Sequence, residues 1–259
     1  MSYAPFIGIT DFTESEQVTN MWQVLGSAGS KRMLGVGVMM SYETLHSIPN
    51  EWDKVFPPKE DIEKIFFLDA WDDGVYNCLH YADYKAKPDL CGSLQKAIKY
   101  GGMGLRALQL DMTWPAPEDI ANALHISRRH MQVILQVGAK AMEAVDNDPK
   151  KVVAKLADYE GVIARVLLDK SMGRGLGMDA KALLPYIEAI DDHFGSTLGI
   201  VVAGGLGPST MRLVEPIVER YPNVSIDAQG RLRPSGNALD PIDWEMAKEY
   251  LRQAAAMLG

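Results

Sequence analysis

The sequence has few cysteines and no long apolar run, and both features limit what the protein does. It contains two cysteines, Cys78 and Cys91, and no Cys-x-x-Cys pair, which argues against zinc ribbons and thioredoxin-like redox sites. We do not expect a disulfide between them in a chain that is not secreted. No stretch approaches the roughly 18 consecutive apolar residues of a transmembrane helix, so we expect no membrane partner.

Positive charge is also scarce. The 26 Lys and Arg residues are outnumbered by 34 Asp and Glu residues, and the formal net charge is -8. Such an acidic chain is a poor binder of polyanions, so we expect no nucleic-acid partner. The N-terminus lacks the basic start and apolar core of a signal peptide, which predicts a cytoplasmic protein. A small phosphate ligand remains compatible with this charge, because backbone amides bind anions locally.

Short apolar runs alternate with helical patterns along the whole chain. The runs lack a polar and apolar alternation, which is typical of parallel strands covered on both faces. The predicted strands are residues 5–9, 33–40, 75–80, 105–110, 132–137, 163–168, 199–203 and 224–226. The predicted helices are one capped by Thr13 and then residues 58–67, 90–99, 116–124, 149–156, 179–190, 208–220 and 241–257.

The count of strands indicates the fold class. Eight strands, each followed by a helix, close into a (β/α)₈ TIM barrel, so we predict one α/β domain over residues 1–259. A doubly wound open sheet is the alternative. The pattern leaves the oligomeric state open.

Two carboxylates follow apolar strands at the end where barrels carry their active sites. Asp111 follows the fourth predicted strand and Asp169 follows the sixth. Partial burial raises a carboxyl pKa and favours proton donation, so we predict Asp169 as general acid and Asp111 as the preferred base. The alternatives are structural: Asp169 pairs with Lys170 or Arg174, and Asp111 caps a turn.

Glycines follow the last two strands. Gly204 and Gly205 come after the seventh strand, and Gln229 and Gly230 come after the eighth. Loops at these two positions commonly bind phosphate in barrels, and glycine lets backbone amides approach a ligand closely. We therefore predict a phosphate site at these four residues. The alternative is that the glycines only permit tight turns.

Further polar residues are expected around the same pocket. They are Thr10, Asp11, His80, Gln136, Lys170 and Arg174. Three alternate glycines in residues 171–177 predict a loop that covers the site. His46, His80, Asp111 and Asp169 offer ligands for a metal, but they follow no spaced ligand motif, so we predict neither a metal nor a cofactor.

Several motifs together resemble the phosphoribosylanthranilate isomerase family of ribulose-phosphate-binding barrels. They are Ile-Gly-Ile-Thr at 7–10, Leu-Gln-Leu at 108–110, Leu-Leu-Asp-Lys-Ser at 167–171, Ala-Gly-Gly-Leu-Gly-Pro at 203–208 and the turn at 227–230. The resemblance implies an Amadori isomerisation of a phosphorylated amino sugar. It also implies that Asp169 is the general acid and that Gly204, Gly205 and Gly230 bind phosphate.

The sequence departs from this family at its catalytic base. Ile7 stands where the family has a cysteine, and Asp11 stands where an arginine is common. The resemblance therefore implies an isomerase-like barrel with an altered base, acting on a phosphorylated sugar-type molecule. The alternatives are a non-catalytic relative that binds a phosphorylated ligand, and a divergent lyase or metal-dependent enzyme that uses Asp111 and Asp169.

Overall fold

Parallel strands form the centre of the molecule. The computed structural model describes residues 3–66, 74–169 and 178–259. Within them, eight strands form a closed barrel in sequence order, with β8 pairing β1. The strands are β1 Phe6–Thr10, β2 Met33–Ser41, β3 Val75–Ala82, β4 Ala107–Asp111, β5 Gln132–Gly138, β6 Arg165–Asp169, β7 Gly199–Val202 and β8 Ser225–Ala228. The predicted TIM barrel is confirmed, and the open sheet is wrong.

Helices connect the strands. They are α1 Ser15–Ser27, α2 Tyr42–Leu45, α3 Ile62–Ile65, α4 Leu90–Gly101, α5 Pro117–Ser127, α6 Ala139–Glu143, α7 Pro149–Ala157, α8 Ala180–Phe194, α9 Glu215–Val218 and α10 Trp244–Leu258. Helix α10 packs against α1, which brings the two ends of the described chain together beside the strands that close the barrel.

Three helix predictions need correction. The N-cap of helix α1 is Glu14 and not Thr13. The Gln17 side-chain oxygen accepts hydrogen bonds from the backbone N–H groups of Thr13 and Glu14. The helix predicted at 208–220 is a 3-10 turn followed by the short α9. Pro216 lacks an N–H group and disfavours the interior of a helix, whereas it fits at the start of α9.

The third correction concerns the helix predicted at 58–67. It is a 3-10 turn at Lys59–Asp61 followed by α3. The chain leaves the helix at Phe66, whose carbonyl oxygen accepts a hydrogen bond from the Asn77 side chain on β3. This tertiary contact binds the carbonyl oxygen of the residue at which the helix ends.

The side chains of each strand alternate between two cores. Ile7 and Ile9 point into the layer between strands and helices, whereas Phe6 points into the barrel. The inner core is built from Phe6, Tyr76, Cys78, Ala107, Ile134, Leu167, Val201 and Ala203. This packed interior is a core and not a channel, as in other barrels of this size.

A buried arginine fills the end of the barrel that lies opposite the predicted site. The Arg165 guanidinium lies 5.4 Å from the ring centre of Phe6 and 5.1 Å from that of Tyr76. It also donates a 2.8 Å hydrogen bond to the Ala4 carbonyl oxygen. The positive charge of Arg165 thus lies against aromatic rings and closes this end of the barrel. The polar residues of the predicted site lie towards the other end.

Candidate active site

A cavity of about 410 Å³ opens at the carboxyl ends of the strands. This volume is within the range of small-molecule sites. Its lining residues come from β2 to β8 and the loops that follow them. They are Met39, Ser41, Glu43, Trp52, Phe56, His80, Ala82, Tyr84, Lys85, Gln109, Asp111, Gln136, Gly138, Lys140, Leu167, Asp169, Ala203, Gly204, Gly205, Asp227, Gln229, Gly230, Arg231 and Ala238.

Eight of the residues singled out in the sequence lie together around this cavity. They are Asp111, Asp169, His80, Gln136, Gly204, Gly205, Gln229 and Gly230. Thr10 and Asp11 do not line the cavity but form hydrogen bonds with two residues that do, Asp227 and Gln229. Lys170, Arg174 and the glycine-rich segment 171–177 lie outside the described residues. His46 bonds Ser93 instead, with 3.2 Å between its Nε2 and the serine hydroxyl.

The two predicted carboxylates flank a strand that ends in glycine. Asp111 ends β4 and Asp169 ends β6, and Gly138 of β5 is the register partner of Asp169. Gly138 and Asp169 both line the cavity. The Tyr84 hydroxyl donates a hydrogen bond to Asp111 Oδ2. This bond orients one oxygen of Asp111 at the cavity mouth.

A row of polar side chains crosses the barrel below these carboxylates. Gln109 Nε2 donates a 2.9 Å hydrogen bond to Gln136 Oε1 and lies 3.2 Å from His80 Nδ1. The other ring nitrogen, His80 Nε2, is 3.6 Å from Asp111 Oδ2. All three side chains of the row are buried. Gln109 was not singled out in the sequence, although its place two residues before Asp111 puts it on the same inward face.

Asp227 is a third acidic group that sequence reasoning missed as a site residue. It lies on β8 and accepts hydrogen bonds from Thr10 Oγ1, at 3.0 Å to Oδ2 and 3.3 Å to Oδ1. A Cβ atom at Gly8 would lie only 2.4 Å from Asp227 Oδ1, so glycine at that position makes room for the carboxyl. The alternation of Ser225 and Asp227 along β8, with Gln229 directly after the strand, was the available signal.

Burial sets the protonation of Asp227. Removal from solvent raises the pKa of its carboxyl from 3.8 to about 7, and the hydrogen bond from Thr10 opposes this rise. The negative charges of Asp11 and Asp169 contribute smaller parts of this rise. A carboxyl that titrates near neutral pH is suited to both accept and donate a proton.

The glycine turns after β7 and β8 pack against each other. Gly204 and Gly205 have φ values of 108° and 66°, a region that side-chain-bearing residues rarely adopt. A Cβ atom at Gly207 would lie 2.5 Å from the Arg231 carbonyl oxygen, so glycine there lets the two turns approach. Both turns border the cavity, and Arg231 contributes a positive charge to its lining.

Asp11 holds the β8 turn in place and does not line the cavity. Its Oδ2 accepts a 3.0 Å hydrogen bond from Gln229 Nε2 and forms a buried ion pair with Arg233. Arg233 also donates a 2.8 Å hydrogen bond to the Gln229 carbonyl oxygen. Asp11 has a φ of 95°, an unfavourable value for this residue, which the two bonds hold in place. We therefore assign Asp11 a positioning role.

The direction of the Ile7 side chain bears on one part of the family resemblance, the position of the catalytic base. Its side chain is fully buried in the layer between strands and helices, and the inward-facing neighbours are Phe6, Gly8 and Thr10. A catalytic group must reach the cavity, and a side chain at position 7 points away from it. The equivalence between Ile7 and a catalytic cysteine is therefore not supported by the direction of this side chain.

The long segment after β2 supplies an aromatic wall. Trp52 and Phe56 stack with ring centres 5.3 Å apart, and both line the cavity opposite its polar floor. The sequence analysis did not predict that this segment lies at the site. Glu43, Lys85 and Lys140 add charges of both signs around the mouth.

The described residues also bear on metal binding and membrane insertion. Across residues 3–66, 74–169 and 178–259, no group of three or more His, Cys, Asp or Glu side chains is arranged to hold a metal ion. No helix in this described part of the chain is long and apolar enough to cross a bilayer.

Comparisons with known proteins support the fold. No protein-family model matches the chain, and no curated protein matches it by sequence. The chain is similar in structure to one described as "Crystal Structure of Phosphonopyruvate Hydrolase", with a TM-score of 0.50 and 13% sequence identity, over 86% of this chain and 75% of that chain. At this identity the likeness shows the barrel fold alone, and the resemblance to phosphoribosylanthranilate isomerases is not confirmed.

Proposed function

We propose that the protein is an enzyme that isomerises a small phosphorylated sugar-type molecule by proton transfer. One observation carries the proposal: the carboxylates of Asp111 and Asp169 and the glycine turns at 204–205 and 229–230 border the same cavity. The glycine turns bind the phosphate through backbone amides and the positive charge of Arg231. The phosphate anchors the ligand, and the carboxylates act on its other end.

The proton-transfer step uses two carboxyl groups on different strands. Asp169 donates a proton to the ring oxygen of the sugar, so that the ring opens. Asp111 removes a proton from the carbon next to the new carbonyl or imine group and returns it to the neighbouring carbon. The hydroxyl group on the first carbon becomes the new carbonyl and releases its proton to Asp169, which restores the acid. The hydrogen bond from Tyr84 leaves the second oxygen of Asp111 available for this transfer.

The phosphate site is tested with a matched pair of glycine substitutions. Gly205→Ala introduces a methyl group at a left-handed residue beside the cavity, and Gly161→Ala does the same at a φ of 77° with no atom within 4 Å of the new group. Each substitution costs about 1–2 kcal/mol of stability. We expect only Gly205→Ala to weaken the binding of inorganic phosphate, measured by calorimetry. Equal affinities in both variants would remove the glycine turns from the proposal.

The chemistry is tested with ribose 5-phosphate and related aldose phosphates. A bound ligand at 100 times its Kd stabilises the folded protein by about 2.7 kcal/mol, so thermal unfolding identifies the ligands to assay. For a ligand that is turned over, Asp169→Asn and Asp111→Asn should each lower kcat by about 10²–10⁴-fold, because each removes a proton-transfer group. Deuterium incorporation from D₂O measures this step.

Phosphate affinity is the control for both carboxylate variants. The glycine turns lie on β7 and β8, so inorganic phosphate should bind both variants as tightly as the wild type. Turnover that survives Asp111→Asn would show that Asp111 is not the base. Binding of aldose phosphates without deuterium incorporation in the wild type would favour a non-catalytic ligand-binding protein.

A further inference from the structure

His80 and Gln109 face each other across two neighbouring strands. They are register partners on β3 and β4, with exposed fractions of only 6% and 5%. The side-chain amide nitrogen of Gln109 lies 3.2 Å from His80 Nδ1 and donates a 2.9 Å hydrogen bond to Gln136 Oε1. Gln136 therefore turns the amide nitrogen of Gln109 towards the imidazole ring.

This contact determines which ring nitrogen carries the proton. An amide nitrogen carries two hydrogens and accepts no hydrogen bond, so His80 Nδ1 must be the acceptor. A neutral imidazole has one N–H group, and with Nδ1 as the acceptor that group is at Nε2. The tautomer thus follows from the pairing of Gln109 with Gln136.

The Nε2 atom of His80 points towards Asp111 at the cavity. It is 3.6 Å from Asp111 Oδ2, and in the described part of the chain it has no hydrogen-bond partner. His80 itself lines the cavity. A buried N–H group without a partner is costly, and a ligand oxygen beside Asp111 would satisfy it.

We propose that Gln109 holds His80 as the neutral Nε2–H tautomer, so that His80 presents a hydrogen-bond donor to the ligand and does not act as a base. The acceptor is a carbonyl, imine-adjacent hydroxyl or ring oxygen of the ligand, next to the carbon on which Asp111 acts. Gln109 and Gln136 are positioning residues in this arrangement. The ligand's identity rests on the proposed function, whereas the tautomer is a property of the free protein.

Nitrogen-15 spectra of the labelled, ligand-free protein test this inference. At about pH 8.5, two pH units above the ordinary imidazole pKa of about 6.5, chemical shifts distinguish protonated from unprotonated ring nitrogens. The chain has five histidines, and the signals that disappear in His80→Asn assign His80. We expect a protonated Nε2 and an unprotonated Nδ1.

Two substitutions test the role of the glutamines. Gln109→Glu replaces the donor by a carboxylate, which only accepts hydrogen bonds, so Nδ1 should become protonated. Gln136→Glu keeps an acceptor for Gln109 and is the matched control, so the wild-type tautomer should remain. In both variants the signals of the other four histidines report whether the fold is kept.

The wild-type spectrum is decisive even if a variant does not fold. A protonated Nδ1 in the wild type would overturn the inference, and so would an unprotonated Nδ1 in folded Gln109→Glu. Neither result depends on phosphate binding, which uses β7 and β8. Loss of the phosphate site with the expected tautomer would refute the proposed function and leave the tautomer in place.

Discussion

The partly buried carboxyl of Asp227 should make the stability of the protein depend on pH in a predictable direction. In the unfolded chain this group loses its proton above its ordinary pKa of 3.8, whereas in the folded protein burial raises the pKa to about 7. Between these pH values ionisation of this group stabilises the unfolded state, whereas in the folded state the group stays protonated. The contribution of Asp227 to stability is therefore fully present below pH 3.8 and falls as the pH rises to about 7.

The magnitude follows from the difference between the two pKa values. About three pKa units correspond to about 4 kcal/mol, which is a large fraction of the stability of an ordinary domain. Asp227→Asn removes the titration and keeps an amide of similar shape beside Thr10. Relative to the wild type, Asp227→Asn should therefore gain up to about 4 kcal/mol between pH 4 and pH 8.

Urea unfolding of both proteins over this pH range measures the difference. Any cost of the amide itself is independent of pH and cancels from the trend. The Thr10 hydroxyl stabilises the ionised carboxyl, so Thr10→Val should move the midpoint of the trend to higher pH, whereas Thr10→Ser should leave it. A stability difference that stays constant from pH 4 to pH 8 would refute the reasoning.

Two further substitutions test structural assignments. Arg233→Met leaves Asp11 with an unpaired buried charge and should cost about 3–5 kcal/mol in urea unfolding, and adding Asp11→Asn should recover part of that loss. Full additivity of the two changes would show that the ion pair is not coupled. Ile7→Cys places a thiol in the layer behind β1, so it should destabilise by about 1–3 kcal/mol, leave the isomerase activity no higher than that of the wild type and stay unreactive to alkylating reagents while folded. Rapid alkylation at position 7, measured by mass spectrometry, would contradict this placement.

The sequence by itself determined the order of the strands and the end of the barrel at which polar groups collect. Apolar runs without alternation require strands that are covered on both faces, and eight such runs separated by helices close a barrel. Because all parallel strands end at the same edge, Asp111, Asp169 and the glycines at 204–205 had to lie near one another. These conclusions depend only on chain order and local pattern, which the sequence contains.

Only the tertiary structure decided which side of each strand faces the cavity. A shift of one residue exchanges the two faces of a strand, and runs such as 6–10 are apolar on both, so the pattern does not reveal the direction of Ile7. The pKa of Asp227 depends on burial between β8 and β1, and the pairing of His80 with Gln109 depends on the register of β3 with β4. Such contacts join residues far apart in the chain, and only the closed barrel brings them within hydrogen-bonding distance.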